Sequence, residues 1–392
     1  MKNRYEWYCG HREDFPFLRF DLDYRVARAG LWESLGRCAS LFDMISMTPL
    51  KPALAEQLYR VSLTKYIEGT TAIEGREFNI EAVERAVEKV GNEVPDYTPV
   101  EIESFIQAIE LIQQRKRASQ PPQMTLSYLC DLNRSVLRGA DIEPGINIGH
   151  LRHHPVSVQK YCPPYPEHLE KLVNNLCCWV NDAGLSGLDQ LQLSPLSQSL
   201  FKALFAHLSF ELIHPFGDGN GRVGRLLELD LLVHGGVPLP AALGLTSYYN
   251  ENKNDYFAAI KAAEKDETLD GVFAFIEFAL NGLYEKSKAM ISRIQRQTLD
   301  ALWRDYVYLV TEDMKRRPVG RRQQTLALSL DSTPRTNRVI REINPKVAVA
   351  YHNKAEAILT RDLKALQRLG LVVRVPEGWK ANKEKMQAFL VG

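Results

Sequence analysis

The chain has 392 residues, a net charge of +1 and the balance of apolar and charged residues of an ordinary soluble protein, with room for two or three domains. It shows no internal repeat and no low-complexity tract, which excludes solenoid and disordered architectures. The start is too polar for a signal peptide, no apolar run reaches membrane-spanning length, and the six cysteines lack zinc-type spacing, so the expectation is a cytoplasmic protein with reduced thiols and no membrane partner.

From the N-terminus, FPFLRFDLDY alternates like a short extended segment, and RVARAGLWESLGRCASLFDMI has the spacing of an amphipathic helix. The stretch from Ser62 carries Thr-x-x-x-Glu-Gly twice, Thr64 to Glu68-Gly69 and Thr70 to Glu74-Gly75. Thr and Glu four apart share a helix face, and glycine suits a helix C-terminus. Alone, the stretch predicts a surface helix stopping at a glycine and a second helix starting near Asn79. VEIESFIQAIELIQQ and MTLSYLCDLNRSVL predict bundle helices. Residues 144–166, with Gly, Pro and alternating β-branched residues, predict a hairpin. Its His150, His153 and His154 have no thiol or carboxylate at ligand spacing and read as solvated side chains. HLEKLVNNLCCWVND predicts another helix.

FKALFAHLSFELI then places Phe201, Leu204, Phe205, Leu208 and Leu212 on one helical face, and Pro215 stops that helix beside His214. HPFGDGNGRVGR follows, and Leu226 to Val233 read as a buried helix. Gly219-Asn220-Gly221 can turn successive N–H groups toward one point, a nest for phosphate oxygens at a helix N-terminus. Arg222 and Arg225, three apart, can fork onto the same polyphosphate. Asp218 is a hard oxygen ligand suited to Mg²⁺, and a neutral His214 could take the proton of an attacking hydroxyl. Together they point to transfer from a nucleoside triphosphate to a hydroxyl.

This run resembles the core pattern of the Fic family, His-x-Phe-x-Asp/Glu-Gly-Asn-Gly-Arg-x-x-Arg, at every specified place. The resemblance implies an all-α helical core with a small β-hairpin flap. It also implies transfer of AMP from ATP to a Ser, Thr or Tyr hydroxyl of a target protein. His214 would be the base, Asp218 the Mg²⁺ ligand, and Gly219, Asn220, Gly221, Arg222 and Arg225 the ATP site. Many Fic proteins carry a self-inhibitory helix, Ser/Thr-x-x-x-Glu-Gly/Asn, whose glutamate pairs with the last arginine of the core. TTAIEG is the nearer match, which assigns that role to Glu74, followed by Gly75, with Glu68 as second choice. The hairpin looks like the flap that clamps the target segment through its backbone, here around Val156, Ser157 and Val158. Beyond the core, NKNDYF resembles a place where the family often has two tyrosines. Tyr256 and Phe257 become candidates for an adenine shelf, an aromatic core face being the other reading.

Residues 301–392 hold 18 Lys and Arg against 9 Asp and Glu, which suggests a separate module with an anionic partner. Ala355 to Leu369 predict a helix with Ile358, Leu363, Leu366 and Leu369 inward, Gly370 a stop, and Pro376-Glu377-Gly378 the turn of a strand pair. This resembles the recognition helix and wing of a winged helix-turn-helix domain. Thr360, Arg361, Lys364 and Arg368 would be its candidates for DNA contact. The expected layout is an N-terminal segment 1–96 with the inhibitory helix, a Fic core 97–298 and the C-terminal module 299–392. A nucleotide-sensing DNA-binding regulator is the alternative from another class, and the motif does not exclude transfer of a different nucleotidyl or phosphoryl group. Assembly into a homodimer is left open.

Overall fold

The computed structural model describes residues 18–76, 78–88, 100–118, 123–158, 161–182, 186–264 and 268–386. Cys9, residues 15–17 of the expected extended segment and the hairpin tip at 159–160 lie outside them. The chain divides into two compact units, Met1–Met290 and Ile291–Gly392, and the division falls inside one continuous helix, Asp270–Val310. Residues 1–96 and most of the expected core fall together in the first unit, and the division lies shortly before the expected start of the C-terminal module at 299.

The described helices of the first unit are α1 (Ala29–Met47), α2 (Pro52–Ile73), α3 (Ile80–Glu88), α4 (Val100–Arg117), α5 (Leu126–Val136), α6 (Pro166–Asn181), α7 (Pro195–Ile213), α8 (Asn220–His234), α9 (Leu239–Glu251), α10 (Lys253–Ala263) and the start of α11 (Asp270–Val310). Its centre is the α7–α8 pair. α7 starts behind Ser194, whose side chain accepts from the Ser197 N–H at 3.1 Å, with Pro195 in the first turn. Both helices are buried on nearly every side, through Phe201, Leu204, Phe205 and Leu208 on α7 and Val223, Leu226 and Leu227 on α8. Apolar residues all round place a helix in a core. α6 covers α7 by laying Trp179 against Phe205, ring centroids 4.4 Å apart. Burying each such side chain contributes about 1.5–3 kcal/mol. Ahead of α1, the alternation of the N-terminal segment sends Leu18 and Phe20 inward, yet its described residues form no strand.

Helix α2 differs from the expected surface helix. Leu63, Tyr66 and Ile67 are fully buried along one side of it. It runs through the first Thr-x-x-x-Glu-Gly copy because Gly69 packs on α9, where a Cβ would stand 3.1 Å from the Thr246 carbonyl oxygen. The helix stops at the second copy, with Glu74 as its cap and Gly75 at φ +78°. α3 begins after Asn79, whose side chain accepts from the Glu81 N–H at 2.8 Å. Between α5 and α6 the hairpin is present as one antiparallel bridge, Val158 with Tyr161, closed by two backbone bonds of 2.9 Å.

The second unit, after the end of α11, holds α12 (Pro318–Ser329), α13 (Asn337–Arg341), α14 (Pro345–Tyr351), α15 (Glu356–Arg368) and the antiparallel pair β1 (Val372–Val375) and β2 (Gly378–Ala381). The helix, glycine stop and strand pair anticipated from the sequence are all there, with Gly370 at φ +72° and register Val372↔Ala381. Leu359, Leu363 and Leu366 turn inward to join Trp303, Leu326 and Trp379 in one core. Asp362, fully buried, is answered by Arg322 Nε at 2.8 Å, Gln323 Nε2 at 2.9 Å and the Tyr351 hydroxyl at 3.0 Å. Among the described residues no helix is long and apolar enough to cross a membrane, and Cys38, Cys130, Cys162, Cys177 and Cys178 are free thiols.

Candidate active site

The turn between α7 and α8 gathers the chemistry-bearing residues. His214 is the C-cap of α7 and sits at φ +49°, a left-handed conformation that costs a non-glycine residue about 1 kcal/mol or more. Its N–H donates to the Phe210 carbonyl and its carbonyl accepts from Arg152 Nε, both at 2.9 Å, so the strain is held in place. The ring is partly exposed, not sealed in the core. Nδ1 lies 3.3 Å from the Glu211 carbonyl; assigning the proton there leaves Nε2 with a lone pair. Burial pulls the imidazole down to about 4, which keeps it neutral near pH 7.

Gly219, at φ +81°, caps the N-terminus of α8. The first N–H groups of a helix have no partner inside it, so this end can receive an anion. It already has one. A Cβ on Gly221 would overlap Glu74 Oε1, and the same oxygen accepts from Arg225 Nη2 at 2.7 Å. Arg225, 1% exposed, also donates from Nε to Thr70 Oγ1 at 2.8 Å and from Nη2 to the Thr70 carbonyl at 3.0 Å. Burial alone would raise the Glu74 carboxyl, but the charge and hydrogen bond of Arg225 outweigh it and hold Glu74 below its ordinary value. Glu68, the second choice, instead lines a groove with Glu56, Arg60 and Glu84.

Residues 123–232 match the Fic/DOC family, a span that includes this entire turn. The chain carries a Fic domain. The curated "Protein adenylyltransferase fic-1" of Caenorhabditis briggsae is 26% identical over 210 residues, 53% of this chain and 38% of that protein. "Protein adenylyltransferase Fic" of Nematostella vectensis is 25% identical over 255 residues, covering 64% and 50%. The chain thus spans half or less of the length of these relatives. Among solved structures, Fic-1 from C. elegans superposes with a TM-score of 0.52 at 21% identity, over 68% of this chain and 73% of that one. A Fic family protein from Desulfovibrio desulfuricans gives 0.50 at 17% identity, over 90% and 96%. At such identities the structures show a shared fold.

Within the Fic domain several residues stand differently from expectation. The Asn220 side chain does not face the cradle: Oδ1 accepts from the Phe216 N–H and Nδ2 donates to the Phe216 carbonyl, both at 2.9 Å, bracing the turn from inside. Arg222 and Arg225 do not fork together. Arg222, 4% exposed, reaches Asp218 Oδ1 at 3.1 Å and the Val136 carbonyl at 3.4 Å, while Arg225 serves Thr70 and Glu74. Tyr256 is 1% exposed, with its hydroxyl 2.9 Å from His207 Nε2 and its ring 4.5 Å from that of Tyr249. It packs here as part of an aromatic core face, the other reading of this run; Phe257, 39% exposed, keeps a stacking face.

Other residues around the site carried no clear sequence signal. Lys253 donates to the Ala72 carbonyl at 2.8 Å, and Arg76 reaches Glu101 at 2.6 Å and the Asp141 carbonyl at 3.0 Å, so the segment bearing Glu74 is pinned on both sides. Behind Arg225, burial pushes the carboxyls of Glu211 and Glu228 up to about 8, and Glu228 accepts from the Tyr249 hydroxyl at 2.8 Å. Arg152, 4% exposed, donates also to the His154 carbonyl at 3.0 Å and the Pro164 carbonyl at 2.6 Å, tying the hairpin to the His214 turn. Val156, Ser157 and Val158 lead into the hairpin bridge, with Ser157 and Val158 exposed. Asp218 brings a second carboxylate, besides Glu74, to the cradle's edge, its side chain 33% exposed. Among the described residues no group of three or more His, Cys, Asp or Glu could form a protein-only metal cage. One carboxylate beside a phosphate site fits Mg²⁺, which keeps waters and takes substrate phosphates as ligands.

Proposed function

We propose that the Fic domain is a protein adenylyltransferase, moving AMP from ATP to a hydroxyl of a target protein and restrained by its own Glu74. What carries this reading is one juxtaposition: the His214 imidazole beside the start of α8, with the Glu74 carboxylate at Gly221 and Arg225 where phosphate oxygens would bind. The relatives' curated names supply the group transferred. In the step itself the target oxygen attacks the α-phosphorus, the bond to the bridging oxygen breaks, and pyrophosphate leaves. The hydroxyl proton passes to His214 Nε2, which the lowered pKa keeps free to accept it. The Gly219–Gly221 amides and Arg225 hold the triphosphate, and the edge at Val156–Val158 receives an extended target segment. Mg²⁺ held at Asp218 would neutralise charge on the leaving pyrophosphate.

The test uses ATP labelled at the α-phosphate, with Mg²⁺, on wild type, Glu74→Gly and Glu74→Gly/His214→Ala. Label should appear on protein with Glu74→Gly and vanish in the double variant. No label with any variant, under conditions where MgATP binds, defeats the reading. A second partner, DNA, is proposed for the C-terminal unit because Arg361, Lys364 and Arg368 lie exposed on α15, opposite its buried Leu359, Asp362 and Leu366. Thr360 is half-buried and accepts from Asn337 Nδ2 at 3.0 Å, which suits it less to contact bases. Duplex binding whose affinity falls with salt, and falls less steeply in Lys364→Ala, is the expected result; unchanged binding in Arg361→Ala and Lys364→Ala would refute it.

A further inference from the structure

Adenylyl transfer sets a problem of register. The hydroxyl is delivered by the hairpin and the phosphorus by the α7–α8 turn, two loops that must agree to a fraction of an ångström. Asn133 of α5 touches both. It is 1% exposed, and its amide is used at each end: Nδ2 donates to the Asp218 carbonyl at 2.9 Å, and Oδ1 accepts from the Gly149 N–H at 2.8 Å. Its neighbour Arg134 donates to the Gly149 carbonyl at 3.1 Å, so this one residue, at φ +73°, is held at both its N–H and its carbonyl by consecutive residues. Three residues on, the Arg152 N–H donates to the Pro215 carbonyl at 3.0 Å, so the chain leaving the grip runs directly alongside the His214 turn. The far end of α5 meets the cradle too, with Leu137 Cδ2 3.1 Å from where a Gly219 Cβ would be.

Resting on the reading of the site as an adenylyltransferase, we propose that Asn133, assisted by Arg134, is a positioning residue that fixes the target-bearing hairpin in register with the phosphate turn. The side chain must donate to one loop and accept from the other, which an amide does and a carboxylate does not. In Asn133→Asp the bond from Gly149 survives and the one to Asp218 is lost. A loosened hairpin lets water compete for the α-phosphorus, giving free AMP and pyrophosphate instead of modified protein.

Asn133→Asp and Arg134→Ala are therefore placed in the Glu74→Gly chain. MgATP affinity is read by calorimetry, and label from α-labelled ATP is divided between protein and free AMP. With Asn133→Asp the protein-to-AMP ratio should fall about tenfold or more, while the Kd for MgATP stays within about threefold of the parent. Arg134, its side chain 47% exposed, can be removed without threatening the fold; its loss should lower the ratio about threefold, and it decides the matter if Asn133→Asp does not fold. An unchanged ratio in these variants, whatever happens to affinity, overturns the proposal. Absence of both label and AMP from the Glu74→Gly parent sinks the proposed function, and this inference with it.

Discussion

Glu74→Gly should change affinity and stability in opposite directions. Two unit charges about 4 Å apart attract by about 4 kcal/mol at an effective dielectric of about 20. The Glu74 side chain is 33% exposed, so solvent screening reduces the pair to about 1–3 kcal/mol. A phosphate that takes Arg225 must first displace this carboxylate, and its removal should tighten MgATP binding by about 5–150-fold. The same change leaves Arg225, 1% exposed, with Thr70 but without its counter-charge. An uncompensated buried charge destabilises, and in a chain of this size each kcal/mol lost lowers the melting temperature by about 2–4 °C. Calorimetric titration with MgATP and thermal melts with and without MgATP measure both effects. Glu74→Gln, which keeps the shape and one hydrogen bond, should fall between. If Glu74→Gly melts lower yet binds MgATP no better than wild type, the pair is merely structural and the restraint is misassigned.

Three further outcomes follow from neighbouring contacts. Lys253→Met removes the donor to the Ala72 carbonyl and should raise the basal labelling of wild type a few-fold while leaving that of Glu74→Gly unchanged; no change in the wild-type background means the contact does not hold Glu74. Tyr256→Phe deletes the hydroxyl beside His207, so melts should show a loss of about 1 kcal/mol. MgATP affinity should stay put, and a large affinity loss would restore Tyr256 to the nucleotide site. Glu228, pushed up to about 8 by burial, keeps its proton in the folded state while the unfolded chain has lost it, so stability should fall as pH rises from about 5 to 8, Glu228 contributing at most about 1.4 kcal/mol per pH unit and Glu211 a slope of the same sign. Glu228→Gln should flatten that slope, as read by melts across the window.

The motif from His214 to Arg225 was legible because glycines, a proline and paired charges leave few folds for so short a run. The helix–glycine–strand pair after Ala355 was legible for the same reason, each element ending at its own punctuation. The choice between adenine shelf and core face was not legible, because an aromatic helix face looks alike whether it meets a ligand or, as Tyr256 does, a buried histidine. The backbone role expected of Asn220 said nothing of its side chain, which braces the turn from inside across Phe216. The division into compact units falls inside α11, which continues across it without a breaker. One missed residue did leave a trace: Asn133 interrupts an apolar stripe of Leu129, Leu132 and Val136, and a polar residue at a core position invites the question of what it bonds.

The arrangement at α8 also constrains what kind of restraint this is. A helix N-terminus beside a buried arginine is poorly stable without an anion, and Glu74 supplies one from within the chain. On the proposed function, nucleotide and carboxylate would compete for the same donors, and the contest would be set by the effective concentration of the tethered group, which is about millimolar even for a slack tether. This tether is not slack. Thr70 holds Arg225 on the same helix that ends at Glu74, Lys253 holds the carbonyl two residues before it, and Arg76 anchors the chain two residues after. The contacts of Lys253 and Arg76 raise the local concentration of the carboxylate without touching the nucleotide site. The strength of restraint should therefore be adjustable at Lys253 and Arg76 with the catalytic residues untouched, whereas a change at Thr70 or Arg225 would weaken the restraint and the phosphate site together.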